Sequence, residues 1–189
     1  MNTIPIENYK IEVINDYCYT INSKDNTYTY QYQHGDKDGI EESTGSPRYG
    51  LRLYIDEIEY SSAIIFGRGW ANSFSDNLIS INYTEIVILA GNSVFCLELP
   101  SLDLKWRADG QWITGFRIYK TQNAYVVHGE LSIGKVSFEG NLEWEFYGRD
   151  IFVLPSGENN FNICEELIQV LDWEGYRYKI TLDGKEIKD

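Results

Sequence analysis

Two histidines, His34 and His128, are the only imidazoles among 189 residues, so chemistry that needs a general base near neutral pH has two places to reside. His128 stands in Val126-Val127-His128-Gly129-Glu130, where an apolar strand meets a glycine. Glu130 could support it as a base, but the context fits a partly buried histidine hydrogen-bonded at a strand end. His34 closes a tyrosine-rich segment beside Gly35 and is expected at the surface. There is no GxSxG elbow, no HExxH and no Walker loop, and the Gly67-Arg68-Gly69 run lacks the glycines and lysine of a phosphate cradle. Glycoside hydrolysis asks for two facing carboxylates. Asp103, Asp109, Asp150 and Asp172 supply acids, yet nothing in their spacing selects a pair. Cys18, Cys96 and Cys164 are odd in number and far apart, which suits neither a disulfide framework nor a metal centre. The expectation is a binding protein rather than an enzyme, with no metal and no cofactor.

Strand alternation places a different kind of chemistry. In Leu142-Glu143-Trp144-Glu145-Phe146-Tyr147 the apolar set Leu142, Trp144 and Phe146 should face a core, with Glu143, Glu145 and Tyr147 facing outward. Two carboxylates and a phenol, with Asp150 just beyond, could receive lysine and arginine from a basic partner. Asp172 and Glu174 extend the same acidic set. Trp112 follows the polar turn at Asp109-Gly110 and is expected to be exposed. These seven residues form the candidate partner-binding set. The stripe Tyr28, Tyr30, Tyr32 offers a second aromatic face, expected to point inward.

The elements that carry these residues read as β throughout. Aromatics make up 15% of the chain, with fifteen tyrosines, and such residues favour strands. Tyr17–Ile21 and Tyr28–Tyr32 alternate around a turn cluster and read as one hairpin. Leu51–Tyr60 and Ser61–Phe66 read as another, turning near Asp56-Glu57. Asp36–Gly50 should be an exposed loop, and Asn162–Val170 could hold a turn or two of helix or continue as strand. One copy of an internal repeat reads GNSVFCLELPSLDLKW from Gly91 to Trp106, and a second reads GELSIGKVSFEGNLEW from Gly129 to Trp144. A looser copy, DWEGYRYKITLDGKEI, spans Asp172 to Ile187. Its Asp183-Gly184 turn matches Glu139-Gly140, but no tryptophan follows.

A period of about 40 residues with several strands per unit suits propeller blades, and four such units at most fit this length. These segments resemble the repeats of pyrroloquinoline-quinone-type propellers, although a generic meander of packed antiparallel hairpins shares the pattern. The reading is a single all-β domain over residues 1–189, with N-terminal hairpins over 1–66 and a repeat region over 80–189. The stretches 99–106, 126–153 and 172–187 also resemble an uncharacterised bacterial β-repeat family whose members often sit beside toxin genes as candidate immunity proteins. That resemblance implies a protein that blocks a toxin and supplies no residue roles.

Charge narrows the partner. The formal net charge is −13. Acids exceed bases by 11 to 5 over residues 1–60 and by 13 to 6 over 121–189, while 61–120 is balanced at 5 and 5. Such a chain repels phosphate backbones and anionic lipid surfaces, so neither nucleic acid nor membrane is expected as a partner. A basic protein would be drawn in; excess carboxylate also keeps a protein soluble. The opening MNTIPIENYKIEVIND has no basic segment before an unbroken apolar stretch, so a cytoplasmic location is expected. The functional expectation is an immunity protein that neutralises a basic, nuclease-type toxin, with a carbohydrate-binding module as the alternative.

Overall fold

The computed structural model describes residues 2–6, 8–35, 45–70, 73–164 and 167–188. Among the described residues sixteen strands fall into four sheets that follow one another along the chain, antiparallel but for one pair in the first. The first sheet contains β1 (Asn2–Ile6), β2 (Tyr9–Asn15), β4 (Arg48–Ile55), β5 (Ile58–Phe66) and, parallel to β5 at its edge, β3 (Tyr32–Gly35). The second is a meander of β6 (Ile79–Ile81), β7 (Glu85–Ala90), β8 (Ser93–Glu98) and β9 (Leu104–Asp109). The third repeats it with β10 (Gly115–Lys120), β11 (Ala124–Gly129), β12 (Ser132–Ser137) and β13 (Leu142–Tyr147). The fourth has β14 (Phe161–Cys164), β15 (Leu167–Leu171) and β16 (Arg177–Thr181). One 3-10 turn, Asp76–Leu78, precedes β6. The architecture is all-β and propeller-like.

Burial explains which strands are central. EIVILA of β7 and SVFCLE of β8 are apolar on both faces and almost wholly buried, so each must be sandwiched between neighbouring sheets. LKWRAD of β9 and LEWEFY of β13 alternate in polarity and form the outer edges. One large core joins the first three sheets through residues such as Leu51, Ile65, Ile88, Phe95, Ile118 and Val127. A second core joins the third to the fourth through Val126, Ile133, Phe161, Val170 and Tyr178.

The Gly-to-Trp repeat proves to be β8 leading into β9 and β12 leading into β13. Its tryptophans staple each sheet to the next. A Cβ on Gly140 would lie 2.6 Å from the Trp106 ring, and one on Gly184 would lie 2.7 Å from the Trp144 ring. Both glycines also hold φ near +80 to +90°, where an L side chain is strained (Gly140 +87°, Gly184 +79°). Trp144 Nε1 completes its contact by donating to the Leu182 carbonyl at 3.0 Å. In the first copy the matching turn position is Leu102, which adopts φ +64° without a glycine.

Several expectations change. Tyr17–Ile21 and Tyr28–Tyr30 do not pair as a hairpin; only Tyr32 enters a strand, and that strand runs parallel to β5. Asn26 holds the segment in a turn, bonding Thr20 through both its oxygen and its amide. Tyr19, Ile21 and Tyr30 then cover Ile64 and Phe66 on the outer face of the first sheet. The inward reading of Tyr30 stands, but as a cover rather than a strand face. Strand β4 already begins at Arg48, so the expected loop ends earlier, and positions 36–44 lie outside the described residues. The hairpin at Asp56-Glu57 is present, with both turn residues left-handed. Residues 162–164 and 167–170 are strand rather than helix, and positions 165–166 lie outside the described residues. His34 is half-buried, its Nε2 2.9 Å from the Leu102 carbonyl.

Candidate functional site

Because the strands alternate in direction, β5, β7, β9, β11, β13 and β15 all end on one side, where the longer connections lie. We call this the loop end. A ladder of backbone hydrogen bonds ties its connections together. Asn92 donates to Arg68 (3.0 Å), Gly110 to Asn92 (2.9 Å), Glu130 to Thr114 (2.9 Å), Phe152 to Glu130 (2.7 Å) and Trp173 to Ile151 (2.8 Å). Satisfying these groups among themselves lets the connections carry large side chains outward without orphaning backbone polar atoms.

What they present is aromatic. Tyr147 at the end of β13 is 51% exposed, Trp173 is 46% exposed, Tyr176 is 37% exposed, and Trp70 in the β5–β6 connection is 70% exposed. Asp150 and Glu174 flank the first three along the chain. Arg149 lies 3.8 Å from the centre of the Tyr176 ring, covering one of its faces. Beneath runs a buried chain of hydrogen bonds. The Arg149 N–H donates to the Tyr178 hydroxyl (2.8 Å), and that hydroxyl donates to Asp172 Oδ2 (2.8 Å). Asp172 Oδ1 accepts from the Tyr176 N–H (2.8 Å). Burial, with Asp172 alongside, raises the Tyr178 phenol above its ordinary pKa. The turn that displays Trp173 and Tyr176 is therefore locked to the loop after β13.

The seven sequence-derived residues separate into three groups. Tyr147, Asp150 and Glu174 lie on or beside this surface. Trp112 and Asp172 are corrections: both are 0% exposed and cannot touch a partner. Trp112 occupies a slot left by Gly110, Gly129 and Gly134, with a Cβ on Gly134 falling 2.6 Å from its ring, and it donates to the Gly91 carbonyl at 3.1 Å. The polar turn before it suggested exposure, whereas Gly110 of that turn and the distant Gly129 and Gly134 make room for the indole inside. Glu143 and Glu145 are engaged internally. Glu143 forms a 2.9 Å ion pair with Lys135, whose side chain is buried. Glu145 accepts from Gln111 N (2.7 Å) and Ser132 Oγ (3.0 Å), and Tyr147 donates to its other oxygen at 3.3 Å. Leu142, expected inward, is exposed, because a bulge at Glu143, between Leu142 and Trp144, shifts the register there.

Trp173 and Tyr176 escaped sequence reasoning, although Asp172-Trp173-Glu174-Gly175 carried a signal: a tryptophan between two acids before a glycine sits in a turn. Gly175 is left-handed, as such a turn requires. His128 is committed to structure. Its Nε2 lies 3.0 Å from the Phe152 carbonyl, its ring stacks on Phe161 at 4.7 Å, and burial pushes its pKa down to about 4.

No protein-family model matches the chain, and no curated protein matches it. Among solved structures it is similar to the computationally designed Ika8 protein, with TM-score 0.50 and 8% identity over 99% of this chain and 60% of that one. It is also similar to BamB from Moraxella catarrhalis (TM-score 0.49, 12% identity, 100% of this chain and 60% of that one). Apo AztD from Citrobacter koseri gives TM-score 0.45 and 10% identity over 99% and 58%. The chain thus spans about three-fifths of the length of these structures. At such identities the likeness is one of fold, and the class it defines is that of all-β, propeller-like proteins.

Proposed function

We propose that the protein binds a basic protein partner through its loop end and acts as an immunity protein, neutralising a nuclease-type toxin by covering its active site. The observation that carries this reading is the exposed group Tyr147, Trp173 and Tyr176 beside Asp150 and Glu174, on a chain of net charge −13. Tyrosine and tryptophan supply the anchors that dominate protein interfaces. Carboxylates around them would meet the lysines and arginines with which a nuclease holds phosphate, speeding encounter and fixing register. The resemblance of the repeat segments to candidate immunity proteins points the same way. A carbohydrate module is less well served, since Arg149 occupies a face of Tyr176 that a sugar ring would stack on.

The test is co-expression with any toxin-like protein encoded next to the gene, followed by measured affinity. Protection should be stoichiometric, and Trp173→Ala should weaken binding by roughly thirtyfold or more without changing the melting temperature. Lack of protection from any neighbouring toxin, or full affinity in a Trp173→Ala, Tyr147→Ala double variant, defeats the reading.

A further inference from the structure

A cavity of about 310 Å³ opens beside β10 and β11, roofed by the loop that follows β13; its lining includes Asn77, Phe116, Arg117, Tyr119, His128 and Phe152. Its size lies at the low end for small-molecule sites. Arg117 is its single cation. Arg117 Nη2 donates to Asn77 Oδ1, Nη1 lies 3.4 Å from the Tyr119 hydroxyl, and the guanidinium carbon stands 5.5 Å from the Tyr119 ring centre. Among the described residues no carboxylate pairs with it, although the chain holds 29 acids and 16 bases. A guanidinium carries five N–H donors in a rigid fork, so these contacts fix its plane and leave donors unused.

We propose that this cavity binds a small organic monocarboxylate with an aromatic or branched apolar body, the carboxylate on Arg117 and the body against Phe116, Tyr119 and Phe152. The guanidinium fork matches a carboxylate through two parallel hydrogen bonds. His128 supplies no second charge. The Phe152 carbonyl can only accept, so His128 Nε2 carries a proton, and burial of the ring, which pushes its pKa down to about 4, keeps it neutral. One cation suits one negative charge, which disfavours phosphates and dicarboxylates. Glu158, the one acid in the lining, is exposed at the rim and opposes an anionic ligand.

The experiment is an amide and side-chain NMR titration of the full chain with sodium benzoate, and with benzamide as its uncharged counterpart. Benzoate should give saturable shifts at Asn77, Arg117 and Phe116, with an affinity at least about tenfold above benzamide, as expected for a charge-assisted fork. Arg117→Gln should remove that preference while the melting curve shows it folded. Glu158→Gln, a change at an exposed position, should tighten benzoate by roughly twofold to fivefold. Equal binding of benzamide, unchanged benzoate affinity in Arg117→Gln, or no saturable shift at the cavity below about 20 mM overturns the proposal. None of these outcomes depends on the toxin reading, which is tested at another surface.

Discussion

Replacing Asp172 by alanine separates two roles for a carboxylate that sequence alone would assign to a partner. Its side chain is fully buried and accepts two hydrogen bonds of 2.8 Å, one from the Tyr178 hydroxyl and one from the Tyr176 N–H. Alanine leaves both donors without their acceptor. A buried orphaned donor costs about 1–3 kcal/mol, and the Tyr176 N–H, being nearer the surface, recovers part of its loss from water. The sum is about 2–4 kcal/mol, and for a chain of this size that lowers the melting temperature by about 5–15 °C. Thermal and urea unfolding of Asp172→Ala, Tyr178→Phe and the double variant measure it directly. Because the two side chains share one bond, the double variant should fall short of additivity by about 1–2 kcal/mol. Partner affinity should change only as far as Trp173 and Tyr176 lose their positions. An Asp172→Ala protein that melts within about 1 °C of the parent would show that the carboxylate holds nothing in place.

Other consequences are briefer. Trp112→Ala should cost about 3–5 kcal/mol, and Gly134→Ala, which drives a methyl into the same indole, at least about 1–3 kcal/mol; both are read by urea midpoints. His128 has a folded pKa pushed down to about 4, whereas the unfolded chain titrates near 6.5. As pH falls between these values the unfolded state takes up a proton that the folded state refuses, so stability is lost, about 3 kcal/mol in all. In His128→Gln the slope of stability against pH should flatten over that window by one proton; an unchanged slope would place the titration elsewhere. Burial and the neighbouring Glu85 charge push the Cys96 thiol up to about 12, while Cys18 and Cys164 are exposed. Iodoacetamide should therefore label two thiols in the native protein and three after unfolding, counted by mass spectrometry.

The sheets were legible where local pattern and tertiary need agree. The apolar runs of β7 and β8 and the Gly-to-Trp units could be read because a central strand shows on both faces what it must bury. Tyr17–Tyr32 misled for the opposite reason. Its alternation suits a strand, but the outer face of β5 needed a cover, and Asn26 turned the chain to provide one. The candidate site failed at residues whose fate is set at a distance. Lys135 lies eight positions and one strand away from Glu143, and nothing in Glu-x-Glu reveals that a buried ammonium claims the first acid. Charge reversal at Glu143 would consequently strand a buried cation, and lost binding in that variant would report damage to the third sheet rather than the location of an interface.

The five tryptophans show how far residue type falls short of role. Trp106 and Trp144 lie on turn glycines of the following sheet, at the end opposite the loops. Trp112 fills a slot between three glycines at the loop end. In each case a glycine elsewhere in the chain makes the room, so the pairing of tryptophan with glycine, not the tryptophan itself, encodes the packing. Trp70 and Trp173 sit in connections and are 70% and 46% exposed. Neither belongs to a hydrophobic core cluster, and the exposed part of their apolar area adds nothing to folding stability. A fold that finds a glycine-lined place for three indoles and displays the other two on the same end as Tyr147 and Tyr176 has built its contact surface apart from its staples. Substitutions at Trp173 can therefore be read as binding effects, while those at Trp106 or Trp144 report on the joints between sheets.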